Sequence, residues 1–237
     1  MMNSVNAVLI LLLWFWSLGP EMILIPEQTS VTGAERTKAH AELCEACFKG
    51  DIDRINALIL SGIDLKTCKS GVDRFTLPEF GEFSRIDLAS CGPIQCCIIG
   101  ELATSQPHAK TLAIIKELIK AGADVNQKSI ICKTALMDAA YLGNLDIVRT
   151  LLDAGANVCL RTRLSLDSPI GRNALHFAVL SNGTERKEII HELLEAGINP
   201  MERDSSGATP AILARRAFRP DLADQIGRIV SGIEPPQ

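Results

Sequence analysis

The sequence predicts an all-α solenoid of stacked helix-turn-helix units, and three observations carry that expectation. First, the stretch from Thr134 to Val158, TALMDAAYLGNLDIVRTLLDAGANV, reads as two short helices followed by a closing turn. Second, the closing glycine recurs at Gly62, Gly122, Gly155 and Gly197, and aliphatic residues stand three, four, seven and eight positions before it in nearly every copy. Third, the 237 residues are 47% hydrophobic but only 4% aromatic, which suits short helices packed through Ala, Leu and Ile.

Each element of the stretch has a local cause. Thr134 can accept a hydrogen bond from a backbone N–H that the first helical turn leaves unpaired, and Gly143 can leave that helix with positive φ. In the second helix Ile147, Val148, Leu151 and Leu152 fall on one face at a period of 3.6 residues. Burying that one stripe does not offset the conformational entropy of ordering the unit, so the stretch must stack on copies of itself. The chain supplies them. The matching positions are Ile114, Ile115, Leu118 and Ile119 in one copy, and Ile189, Ile190, Leu193 and Leu194 in another. The earliest copy has Arg54, Ile55, Leu58 and Ile59, with one position polar.

The helix-opening position recurs at Ala41, Gly92, Thr134, Asn173 and Thr209, giving spacings of 51, 42, 39 and 36 residues. These openings, the Leu175-His176 pair and the Thr209-Pro210 pair resemble the T-P-L-H-x-A motif of the ankyrin-repeat family, whose ideal period is about 33 residues. The resemblance covers about residues 36–232 and implies a solenoid with finger turns, with the surplus residues placed in loops. Asp204 and Gly207 match the family's D-x-x-G finger turn, and Thr209-Pro210 opens the last helix as N-cap and first helical residue. His176 stands where the family's histidine bonds loop backbone.

Four segments follow. Residues 1–26 read as a signal peptide or membrane anchor: Ala7 to Leu18 is an apolar run, and no Lys or Arg precedes Arg36. Twelve residues suit the apolar core of a signal peptide better than a span of about twenty. A membrane-associated or secreted location is expected, with the side of the membrane open. Residues 27–40 read as a polar linker, residues 41–232 as the repeat domain of about five repeats, and residues 233–237 as a tail. The first repeat carries Asp51, Asp53, Arg54 and Asn56, the polar face of a terminal cap. A long insertion spans residues 65–91 and places Phe75, Phe80 and Phe83 among Gly, Pro and charged residues, which suits a binding loop. The Gly92-Pro93 pair opens the second repeat, and a further insertion lies near Glu101 to Pro107. Arg215, Arg216, Arg219, Asp221, Asp224 and Arg228 read as a solvated C-terminal cap.

Composition and motifs narrow the function. A net charge of −4 and a pI near 5.6 give no basic stripe for nucleic acid. No G-x-S-x-G, Walker, G-x-G-x-x-G or H-E-x-x-H motif occurs, so no enzyme, catalytic residue or cofactor is expected. Cys44, Cys47, Cys96 and Cys97 fall on equivalent helices, where a four-sulfur zinc site competes with burial as small packing residues. Packing is preferred, and no metal is expected. Cys68 and Cys91 bracket the insertion and could form a disulfide in an oxidising compartment.

The resemblance implies non-covalent binding to another protein through the concave face and finger loops, with membrane contact only through residues 1–26. Mapped onto this chain, it puts Lys128, Ile130, Ile131 and Lys133 in one finger and Tyr141 and Leu142 on the helix after it. Later fingers give Arg161, Arg163 and Arg172, then Arg203, Ser205 and Ser206. The competing reading is a secreted, disulfide- or metal-stabilised domain with a structural or inhibitory role.

Overall fold

A computed structural model describes residues 33–66, 91–129, 132–163 and 169–232. The apolar run of residues 1–26, Cys68 and its pairing, the phenylalanines of the insertion, Ile130, Ile131 and the tail lie outside the described residues. Those from Arg36 onward fall within one compact unit.

The described residues form ten helices: α1 Gly33–Lys49, α2 Ile52–Leu60, α3 Pro93–Thr104, α4 His108–Lys120, α5 Ala135–Leu142, α6 Leu145–Asp153, α7 Ala174–Leu180, α8 Arg186–Glu195, α9 Pro210–Arg216 and α10 Pro220–Val230. No strand occurs among them; the β-pairing they show is an isolated bridge between Lys128 and Thr134. From α3 onward the odd-numbered inner helices pack on one another in order, the even-numbered outer helices do the same, and each inner helix packs on its own outer helix. The core between the two rows is aliphatic. Ile115, Leu118, Ile147, Leu151, Ile189 and Ile190 are fully buried there.

Most of the expected helix ends are present. Thr134 accepts from the Met137 N–H, Asn173 from the His176 N–H and Thr209 from the Ile212 N–H, while Gly92 precedes Pro93 at the first helical position. Gly143 ends α5 at φ 81°. A Cβ there would also sit 2.6 Å from the Cα of Gly183, so the position needs glycine for space as well as for φ.

Three expectations need correction. The first repeat does not open at Ala41: α1 starts at Gly33, within the segment read as linker, and runs for 17 residues. Polar residues such as Arg36, Thr37 and Lys38 are compatible with an exposed helical turn, so composition did not separate linker from helix. The surplus near Glu101 to Pro107 does not form a loop. It lengthens α3 to 12 residues, until Ser105 breaks the helix at φ 52°. Such an extension requires close backbone contact, because a Cβ on Gly100 would lie 2.1 Å from the Phe48 carbonyl oxygen. Gln106 Nε2 then donates to that carbonyl at 2.7 Å, tying the second repeat to the first.

The C-terminal arginines also divide. Arg219 is no solvated cap: its guanidinium donates to the carbonyls of Val179 and Ser181 at 2.8 and 2.6 Å and to Asn182 Oδ1 at 2.6 Å. It fastens the last helical pair to the preceding repeat. Arg215 remains exposed, 3.9 Å from Asp224.

Candidate partner-binding face

Three finger turns are built by one device, a side-chain oxygen that satisfies backbone donors in a tight loop. In the last finger Asp204 Oδ1 accepts from the N–H groups of Ser206 and Ala208, and from the Ser206 hydroxyl at 2.6 Å. In the middle finger the Thr162 hydroxyl accepts from the Arg172 N–H, and Thr162 and Gly171–Arg172 exchange backbone bonds of 2.8 and 2.9 Å. In the first finger Ser129 Oγ accepts from the Lys133 N–H. Cys132 takes φ 58°, the left-handed conformation that Gly171 and Gly207 take two residues before their own helix openings. Cys132 therefore takes the backbone conformation that a glycine supplies in the other two fingers.

The middle and last fingers are joined. The Ser205 N–H donates to the Ile170 carbonyl at 2.8 Å, and the Ile170 N–H donates to Ser205 Oγ at 3.0 Å. Arg172 Nε lies 3.1 Å from Asp204 Oδ2, with side chains 12% and 0% exposed. Burial acts to raise the Asp204 carboxyl, but hydrogen bonds from Ser206, Ala208 and Arg172 outweigh it and hold the group below the usual carboxylate range. His176 lies beneath this pair, fully buried, with Nε2 donating to the Ala208 carbonyl at 3.2 Å. Desolvation lowers its pKa from 6.5 to about 4, against the opposing pull of that carbonyl and of Asp204.

On the inner helices a second cluster faces the first finger. Lys133 Nζ lies 2.5 Å from Asp138 Oδ1, 4.9 Å over the Phe177 ring and 5.5 Å from the Tyr141 ring centroid. Tyr141 meets Phe177 edge-on, with centroids 6.4 Å apart. Buried Gln95 donates to Asp138 Oδ2 at 3.0 Å and to the Lys133 carbonyl at 3.1 Å.

The residues singled out from sequence therefore fall into distinct environments. Lys128, Arg161, Arg163, Arg203 and Ser205 are exposed and line one open groove of about 650 Å³ together with Leu160, Thr162 and Ile170. Tyr141 is exposed but belongs to the inner-helix cluster, where Lys133 is already ion-paired. Leu142 packs partly buried against the core. Arg172 turns inward to Asp204, so its role is to brace the fingers. Phe177, Gln95 and Asp138 were not singled out at all. The available signal was that Phe177 and Asp138 both stand four residues after a helix opening, on neighbouring inner helices.

Among the described residues no group of three or more His, Cys, Asp or Glu is arranged to hold a metal ion. Cys44, Cys47, Cys96 and Cys97 are all buried in the core around α1 and α3. Burial, then hydrogen bonding to Cys97, raises the Cys47 thiol well above its ordinary range. Cys91 is buried as well, close enough for its carbonyl to accept from the Cys44 thiol at 3.8 Å. No helix among the described residues is long and apolar enough to cross a membrane.

Stacked helical pairs, glycine-closed units and finger turns define a repeat solenoid, and comparison with known proteins agrees. Residues 102–204 match the family model described as ankyrin repeats, three copies. The chain carries ankyrin repeats over these residues; ankyrin repeats are generally protein-binding modules, and proteins built of them are usually non-enzymatic. It is 27% identical over 200 residues to the ankyrin repeat protein YahD of Escherichia coli strain K12, an alignment covering 77% of this chain and 92% of that one. An ankyrin repeat protein of Acanthamoeba polyphaga mimivirus is 36% identical over 101 residues, 43% of this chain. The mitochondrial disaggregase of Bos taurus is 31% identical over 141 residues, 46% of this chain. The chain spans only 12% of the mimivirus protein and 20% of the disaggregase.

Proposed function

We propose that this chain is a non-enzymatic binding module that grips a protein partner with its finger turns and inner helices. Exposed cations and an exposed aromatic on the side of the fingers and inner helices support this reading most directly. On the outer helices Arg149 lies 2.7 Å from Glu192 and Lys187 lies 3.1 Å from Asp221. On the finger side Lys128 and Arg163 are exposed and have no side-chain partner among the described residues. Tyr141, 46% exposed, adds an aromatic of the type enriched at interface hot spots.

The test is crosslinking and co-purification of partners with the full chain and two variants. Tyr141→Ala should weaken capture by about 1 kcal/mol or more without lowering the melting temperature. Arg149→Ala on the outer row should leave capture unchanged. Equal losses from both variants would assign the partner to another surface.

We also propose that residues 1–26 deliver the chain to a membrane or the secretory route, a reading supported by the apolar run at Ala7 to Leu18. A fusion lacking residues 1–26 should partition wholly to the soluble fraction while the full chain does not. Full-length protein that fractionates as soluble material with Met1 intact would overturn it.

A further inference from the structure

The finger groove is basic on an acidic protein. Its lining carries Lys128, Arg161, Arg163 and Arg203, whereas the whole chain has a formal charge of −4. Among the described residues the carboxylate in that lining is Asp204, which is buried and already answered by Arg172 and by the turn's own donors. A second acid nearby, Glu202, lies 3.6 Å from Arg161 Nε and accepts from Asn173 Nδ2 at 3.1 Å. Arg161 is held in place before any ligand arrives, because its Nε donates to the Gly171 carbonyl at 2.9 Å and its Nη2 to the Arg203 carbonyl at 2.8 Å. Lys128 and Arg163 are exposed cations without such ties among the described residues.

The four cations are distributed over three fingers: Lys128 on the first, Arg161 and Arg163 on the second, Arg203 on the third. A single compact anion would need them converged on one point, whereas charges spaced along an extended chain, about 3.3 Å per residue, suit a row. Among the described residues the lining contains no aromatic ring on which a nucleobase could stack. Ile170, 41% exposed, and Leu160 supply an apolar strip beside the charges. We infer that this groove receives an extended Asp/Glu-rich segment of the protein partner, with an aliphatic side chain seated against Ile170. The inference rests on the protein-binding reading above and adds the chemistry of what is bound.

The probe is a fluorescein-labelled peptide of alternating Glu and Gly with one central Leu, titrated with the full chain and read by anisotropy. The isosteric peptide with Gln for Glu serves as its control. The Glu peptide should bind, and its affinity should fall about tenfold as salt rises from about 50 to 300 mM, because exposed charge pairs are screened. The double variant Lys128→Glu/Arg163→Glu should lower affinity at least about tenfold with an unchanged urea midpoint, whereas Arg149→Glu should not. Equal binding of the Gln peptide, no binding near 50 mM salt, or an unaffected double variant would overturn the inference. Displacement by inorganic phosphate or by single-stranded RNA at lower concentration than by unlabelled Glu peptide would overturn it in favour of those ligands. If the Glu peptide fails while crosslinked capture still depends on Tyr141, only the acidic-segment inference falls. If Tyr141→Ala is neutral too, the underlying reading falls with it.

Discussion

His176 offers a stability test whose sign and size follow from its surroundings. The ring is fully buried, its Nε2 donates to the Ala208 carbonyl, and desolvation holds its pKa near 4 against an ordinary value of 6.5. Below pH 6.5 the unfolded chain takes up a proton that the folded chain refuses until pH 4 is approached. Stability from this group is therefore complete above about pH 6.5 and is lost as pH falls towards 4. At about 1.4 kcal/mol per pKa unit the full effect is about 3 kcal/mol, of which about 2 should be lost between pH 7.5 and pH 5. Asp204 and Asp221 are held below the ordinary carboxylate value of 3.8, so the stability they contribute is lost only at lower pH, outside this window. Urea unfolding at both pH values, on the native chain and on His176→Gln, isolates the histidine. The native chain should lose about 2 kcal/mol more than the variant. A competing contact defines the refutation: Asn173 Oδ1 lies 2.6 Å from His176 Nδ1 and could accept from a protonated ring. Equal losses in the two proteins, or native stability that holds on acidification, would show that this contact outweighs desolvation.

Other expectations concern packing and stitching. Asp204→Ala strands the Arg172 guanidinium and the Ser206 and Ala208 N–H groups, and should cost about 3–5 kcal/mol in urea unfolding, as removal of one partner of a buried pair does. Ile190→Ala or Leu151→Ala, both fully buried, should each cost about 2–5 kcal/mol, whereas Arg149→Ala should leave the unfolding midpoint unchanged. Arg219→Ala removes the bonds to Val179, Ser181 and Asn182, and should raise amide hydrogen exchange in α9 and α10 more than in α5 and α6. Uniform exchange across all four helices would show that Arg219 does not hold the last repeat.

By itself the sequence determined the repeat, its helix ends and its core. Apolar period, N-caps and closing glycines act within a few residues of one another, so Thr134, Gly143 and the Ile147–Leu151 stripe announce a unit that cannot fold alone. The finger turn at Asp204 to Gly207 was legible for the same reason. Contacts between repeats were not, because they join residues that are far apart in the chain. Nothing local distinguishes Arg172, which braces Asp204, from Arg163, which faces solvent, and both stand in the same loop. Nothing local says that Arg219 reaches back to Val179, or that Phe177 and Tyr141 share Lys133. The same holds for α1, whose polar start at Gly33 reads as linker, and for α3, which outgrows its period where Gly100 lets it pass the Phe48 backbone. Which cations face outward to meet a partner is decided by which carbonyls and carboxylates the neighbouring repeat brings within reach, and only the stacking supplies those.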